Sequence, residues 1–180
     1  MDKKICIFCG AKTGQSAQII HEVEALCDLL IEQKYDLVYG GGKSGLMGIV
    51  ADKFLAAKRQ VIGVRPEKLI IDEDAHDKLA ELIVVKDMHE RKAKMVDLSD
   101  VFVALPGGVG TLDEIVETFT LFKIGFIDKP SGILNVDGYY DGLITLLDRM
   151  VTNGFLDETA KNRLMIEAKP TTLVARIKAF

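Results

Sequence analysis

The sequence predicts an α/β fold, a doubly wound parallel sheet covered by helices on both faces in three α/β/α layers, forming a single domain over residues 1–180. Three observations predict it. Apolar extended runs alternate with segments of helical period along the chain, the signature of repeated βα units. Some runs are apolar throughout, such as Val101-Phe102-Val103-Ala104-Leu105, as strands buried on both faces require. Two glycine-rich turns, Gly40-Gly41-Gly42-Lys43-Ser44-Gly45 and Pro106-Gly107-Gly108-Val109-Gly110-Thr111, each follow such a run and open an amphipathic segment. The length suits one core.

The elements follow in order. Residues 4–8 read as the first strand, and Ile19, Val23, Leu26 and Leu30 stand at helical spacing in a helix ending near Lys34. Residues 35–39 give the second strand, 46–58 a helix and 60–64 the third strand. The stretch 67–78 is acidic and weakly periodic, and is expected to be a mobile surface excursion able to cover a site. Strands over 81–85, 100–105 and 131–136 alternate with helices over 88–98, 112–124 and 140–151, and a shorter helix starts at Thr171. In a doubly wound, Rossmann-like sheet the ligand crevice lies at the carboxyl ends of the strands, where the strand order reverses. Residues 9–14, 40–45, 87–92 and 106–111 are therefore expected to supply the site.

Composition narrows the function. With 48% apolar and 28% charged residues the chain is ordinary for a soluble protein, and its net charge of −4 argues against bulk nucleic-acid binding. The apolar run before Gly10 is too short for a signal peptide or a membrane span, so a cytoplasmic protein with no membrane partner is expected. Cys6 and Cys9 form a literal C-x-x-C. Three residues apart along an extended strand, they face opposite sides with Cα atoms about 10 Å apart, too far for a disulfide. Both read as core residues. His21, His76 and His89 lack metal-ligand spacing, so no metal is assigned.

Glycine lets a backbone approach an anion, and the N–H groups opening a helix point at it with the positive end of the macrodipole. Two such turns in a short chain imply a nucleotide-sized ligand. Gly40-x-Gly42-x-x-Gly45 matches the dinucleotide fingerprint in letters, but it follows the second strand, and Val64 and Arg65 stand where an acidic residue would end the third. A nicotinamide or flavin dehydrogenase is thereby disfavoured. A tight packing turn is the plain alternative; three consecutive glycines, where packing alone needs one, favour ligand contact.

Thr111 can cap the helix after the second turn and donate to a phosphate oxygen. Thr111-x-x-Glu114 is equally a capping box, and the sequence leaves a structural and a catalytic Glu114 both open. Asp87 reads as the N-cap of the helix over 88–98, with Glu90 as its structural partner. Arg91 and Lys92 are cations in the first turns of that helix, where they oppose its dipole unless an anionic ligand is near. A solvated turn accounts for a lone lysine such as Lys92, whereas Arg91 is assigned to the ligand.

Three motifs together, Gly40-Gly41-Gly42-x-x-Gly45-Leu46-Met47-Gly48, Met88-His89-Glu90-Arg91-Lys92-Ala93-x-Met95 and Pro106-Gly107-Gly108-x-Gly110-Thr111-x-x-Glu114, resemble the Lonely Guy family of cytokinin-activating phosphoribohydrolases. The likeness continues through Asp128-Lys129-Pro130 and Leu134-Asn135-Val136-Asp137-Gly138-Tyr139-Tyr140. It implies hydrolysis of the N-glycosidic bond of purine nucleoside 5′-monophosphates, the N6-substituted adenine nucleotides above all and AMP in some members, giving free base and ribose 5-phosphate without a cofactor. It maps catalysis onto Arg91 and Glu114. Substrate contact falls on Gly10, Gly41, Gly42, Met88, Lys92, Gly107, Gly108, Gly110 and Thr111 as well. It also implies a homodimer, and Ile115, Phe119, Phe122 and Phe126 carry more apolar surface than one core face needs.

Members are often labelled lysine decarboxylases, yet nothing here marks a Schiff-base lysine with its supporting groups. The chain departs from the family pattern at Cys9-Gly10-Ala11-Lys12 and over residues 121–127, and it has no tryptophan. These positions fall where the base and its substituent would be recognised. The alternative reading is a non-catalytic carrier of a nucleotide or of molybdenum cofactor, against which Arg91 and Glu114 argue.

Overall fold

The structure, a computed structural model, describes residues 2–72 and 75–180. In chain order its elements are β1 (Lys4–Phe8), α1 (Ala17–Glu32), β2 (Asp36–Tyr39), α2 (Gly45–Ala56), β3 (Val61–Pro66) and α3 (Glu67–Asp72). There follow β4 (Glu81–Val85), α4 (Met88–Leu98), β5 (Val101–Ala104), α5 (Val109–Lys123) and β6 (Ser131–Leu134). A 3-10 turn (Val136–Gly138), α6 (Asp141–Thr152), α7 (Glu158–Arg163), β7 (Leu164–Glu167) and α8 (Pro170–Ala179) complete the chain.

All pairings in the sheet are parallel, and the strands run β4-β3-β2-β1-β5-β6-β7. The first four wind outward one way and the last three the other. The reversal therefore lies between β1 and β5, where Ile5 pairs with Val101 and Phe8 with Ala104. A crevice opens there at the strand ends, where Cys9 and Gly10 leave β1 and Pro106 follows β5.

Alternation along β1 builds two cores. Ile5 and Ile7 pack on one face with Val23, Leu26 and Leu30 of α1, Val50 and Phe54 of α2, and Leu173 and Ile177 of α8. Cys6 and Phe8 pack on the other with Met95 of α4, Ile115, Phe119 and Phe122 of α5, and Leu147 of α6. Each fully buried leucine or isoleucine contributes about 2 kcal/mol by leaving water. Cys9 joins the first core, so the C-x-x-C is split between faces, and all three thiols are unbridged.

Three expectations need correcting. The sequence reading lacks β7 and α7; Leu164–Glu167 is a four-residue edge strand, and α7 has no buried residue to give it a period. The segment expected as an excursion opens as a short helix, α3, and its end is tied down: Ala75 bridges Gly42, and the His76 amide donates to the Gly41 carbonyl at 3.0 Å. Residues 73–74 of that segment lie outside the described residues. Finally, α5 starts at Val109 with Gly108 as its N-cap, so Thr111 sits inside the first turn and is not the cap.

Candidate active site

The first turn of α4 is fixed as its sequence implies. Asp87 accepts from the amides of His89 and Glu90 at 3.0 and 2.9 Å, and these bonds hold its carboxyl below the usual carboxylate range. Glu90 accepts from the Lys86 amide at 2.8 Å, one residue before the cap. This turn projects Arg91 toward the strand ends. Its Nε donates to the Val64 carbonyl on β3 at 3.0 Å, and its Nη1 donates to Glu114 Oε1 at 2.7 Å. Nη2 rests on Gly40, where any Cβ would overlap it.

The early start of α5 sets where Glu114 points. With Gly108 as N-cap, Glu114 lies in the second turn, and its carboxylate meets Arg91 instead of reaching back to the helix end. The Thr111-x-x-Glu114 capping box does not form. Both side chains are nearly enclosed, at 11% exposure for Arg91 and 7% for Glu114. Burial pushes the Glu114 carboxyl above the usual glutamate range, and the Arg91 guanidinium pulls the other way. Glu114 is thus a carboxylate of reduced hydration, held by a cation that does not lose its proton.

The two glycine turns differ in kind. Gly40, Gly41 and Gly42 are buried, and their missing side chains make room for protein: Arg91 beside Gly40, Leu82 Cδ1 at 3.2 Å from a Cβ on Gly41, and Met47 Cε at 2.9 Å from one on Gly42. Gly41 also needs its left-handed φ of 77°. Gly10 is likewise engaged, its amide donating to the Pro106 carbonyl at 3.2 Å. At the second turn Gly108 and Gly110 are exposed, and a Cβ there would meet nothing within 4 Å. Open space at the N-terminus of α5, beside first-turn amides, is what an anion requires.

Four carbonyls of this turn have donors. Leu105 accepts from the Tyr140 hydroxyl at 2.7 Å, Pro106 from the Gly10 amide, Gly107 from the Tyr139 hydroxyl at 2.5 Å, and Gly108 from the Leu112 amide at 3.1 Å. Thr111 is buried, and a Cβ on Gly107 would overlap its Oγ1. A cavity of about 390 Å³ adjoins the turn, lined by Gly107, Gly108, Leu112 and Tyr139 among others. Sequence reasoning assigned neither tyrosine a role, although both lie in a quoted motif.

Lys92 points elsewhere. Its Nζ lies 2.9 Å from Asp113 and also contacts Glu117, joining α4 to α5, and these carboxylates raise its pKa. Met88 is partly exposed with its sulfur 4.0 Å from Arg91 Nη1. A groove of about 540 Å³ runs between α5 and α6 and contains neither Arg91 nor Glu114. Val116, Leu146 and Phe155 line it and remain exposed. Among the described residues, no group of three acidic, histidine or cysteine side chains is placed to hold a metal ion, and no helix is long and apolar enough to cross a membrane.

The chain is 44% identical to the probable cytokinin riboside 5′-monophosphate phosphoribohydrolase LOG6 of Arabidopsis thaliana, over 98% of its own length and 87% of the relative's. It is 40% identical to the Arabidopsis phosphoribohydrolase LOG1, over 99% of its length and 84% of that protein. The chain belongs to the Lonely Guy family. The family described as possible lysine decarboxylase matches residues 47–177. Among solved structures, the molybdenum cofactor binding protein of Rippkaea orientalis superposes with a TM-score of 0.74 at 22% identity, covering 99% of this chain and 97% of that one. The Moco carrier protein of Chlamydomonas reinhardtii gives 0.72 at 20% identity, covering 99% and 97%. At such identities the likeness establishes the α/β fold. The Lonely Guy resemblance read from the sequence motifs extends to the whole chain.

Proposed function

We propose that this Lonely Guy chain, acting as one domain, hydrolyses the N-glycosidic bond of purine nucleoside 5′-monophosphates, N6-substituted adenine nucleotides included, to free base and ribose 5-phosphate. The observation that carries the reading is the enclosed Arg91–Glu114 pair beside an open, glycine-rich helix start. Phosphoribohydrolase relatives over nearly the full chain support it.

The chemistry follows from the charges. The 5′-phosphate binds the first-turn amides of α5 at Gly108, Gly110 and Thr111, and that remote binding positions the ribose. The C1′–N9 bond breaks with its electron pair leaving on the base, which takes up a proton. Positive charge then grows on the ribose ring, and the preorganised Glu114 carboxylate stabilises it and orients the water that attacks C1′. The water oxygen bonds to C1′ and releases its proton to solvent. Arg91 holds Glu114 in place and supplies a fixed positive charge to the substrate. Gly41, Gly42 and Gly10 act behind this layer by letting Leu82, Met47 and the β5–α5 turn approach.

A homodimer across the α5–α6 groove belongs to the same reading, since its lining is apolar and Phe155 there is 81% exposed. Three buried, unbridged thiols suit a reducing cytoplasm. Incubation with AMP and with isopentenyladenosine monophosphate, followed by separation of free base, tests the activity. Release of adenine or isopentenyladenine is expected; a folded protein that binds both nucleotides and cleaves neither is a carrier and not this enzyme.

A further inference from the structure

We propose that Tyr139 is a positioning residue for phosphate recognition: its hydroxyl sets the Gly107–Gly108 peptide plane so that the Gly108 amide faces the 5′-phosphate. The inference rests on the phosphoribohydrolase reading and deepens it. Peptide planes here are all trans, so a carbonyl and the following N–H point in opposite directions. The Tyr139 hydroxyl donates to the Gly107 carbonyl at 2.5 Å. The Gly108 N–H is thereby turned to the side away from Tyr139.

The peptide between two glycines is the one most in need of such a hold. Neither residue has a Cβ to restrict φ and ψ, and a flip of this plane would aim the Gly107 carbonyl, a negative dipole end, where the anion binds. The neighbouring peptides are already fixed. Pro106 accepts from Gly10 and Leu105 accepts from Tyr140, both through bonds that link the turn to the core, and the Gly108 carbonyl is held by the α5 ladder. The Gly107 carbonyl depends on a half-exposed side chain from another loop.

That loop is shaped to deliver it. The 3-10 turn after β6 contains two consecutive left-handed residues, Asp137 at φ 51° and Gly138 at φ 70°. Asp137 is uncommon there as a non-glycine residue, and its carboxylate accepts from Ser16 Oγ at 3.1 Å. The reversal brings Tyr139 and Tyr140 out side by side, edge to face with ring centres 5.0 Å apart, and both hydroxyls land on the β5–α5 turn. The buried Tyr140 accounts for docking the loop, which leaves the exposed Tyr139 hydroxyl to act on the single peptide that meets the ligand.

The test is Tyr139→Phe in the full chain, which removes one oxygen from a half-exposed ring. Calorimetric binding of ribose 5-phosphate, AMP and adenosine is compared with the wild type. The expected result is a loss of about 5- to 10-fold for both phosphorylated ligands, one hydrogen bond's worth, with adenosine changed by less than about twofold. In turnover, KM for AMP rises by the same factor while kcat stays within about twofold. Tyr139→Leu gives the same pattern, whereas Tyr140→Phe lowers the melting temperature and leaves the AMP-to-adenosine ratio alone. Unchanged ribose 5-phosphate affinity in Tyr139→Phe, or an equal loss for adenosine, overturns the inference while the enzyme reading stands. A wild type that binds neither phosphorylated ligand overturns both.

Discussion

A single methyl group at Gly40 tests whether the glycine run serves the Arg91–Glu114 pair or the phosphate. Gly40 lies outside the left-handed region, so Gly40→Ala carries no backbone strain of its own, unlike Gly41→Ala at φ 77°. The new Cβ would overlap Arg91 Nη2 and lie 3.0 Å from Met47 Sδ. Unbonded heavy atoms settle at about 3.5 Å or more, so the guanidinium must withdraw by about 1 Å. Its bonds to Val64 and Glu114, at 3.0 and 2.7 Å, cannot both survive such a shift. Overpacking of this kind costs about 1–3 kcal/mol, and misplacement of a reacting-site group by about 1 Å costs on the order of 100-fold in rate. In a chain of this size the stability loss lowers the melting temperature by about 2–4 °C per kcal/mol. Adenine release from AMP, followed chromatographically, should therefore fall by about two orders of magnitude while ribose 5-phosphate affinity changes little. Activity within about twofold of wild type would refute the reasoning that Arg91 rests on this glycine and must not move.

The remaining predictions use the same contacts. Gly110→Ala meets open space in a helix, so it should stabilise the fold by about 0.5–1 kcal/mol and yet weaken ribose 5-phosphate binding; calorimetry and thermal melts on one variant show both effects. Glu114→Gln should cut kcat by about 100- to 1000-fold while keeping an acceptor for Arg91, as substrate turnover and far-UV dichroism would show. Because burial raises the folded-state pKa of Glu114, the unfolded chain binds fewer protons between the two pKa values. Its contribution to stability is therefore greatest below the unfolded pKa and declines as pH rises through the folded one, a decline absent from unfolding curves of Glu114→Gln. The same shift places the acid limb of kcat/KM above the ordinary carboxylate range, and a pH–rate profile checks it. Val116→Asp introduces a charge into the α5–α6 groove and should convert a dimer to a monomer in sedimentation velocity; a wild type that is already monomeric would remove the dimer.

Three elements were legible to the residue, and most others to within one or two. β1, β4 and α4 have the limits their apolar patterns and caps imply. The start of α5 was misread because glycine rather than a hydroxyl residue caps it, and Thr111-x-x-Glu114 offered a false start three residues on. That shift is what frees Glu114 for Arg91, a long-range pairing across 23 residues that no local pattern encodes. The glycine run 40–42 looked like an anion cradle because sequence shows missing side chains but not what fills their space. Here Arg91, Leu82 and Met47 fill it. Tyr139 and Tyr140 were visible as a motif, but their partners, the carbonyls of Gly107 and Leu105, lie more than thirty positions away.

The division of the thiols between the two layers of the molecule gives it a built-in pair of reporters. Cys6 lies under α4 and α5, whereas Cys9 lies under α1 and α2 and Cys27 stands on the buried face of α1. Burial raises the pKa of each, Cys27 to about 12, so the folded protein presents almost no thiolate to an alkylating reagent. Any labelling then counts openings, and mass spectrometry of the modified peptides tells which layer parted from the sheet first.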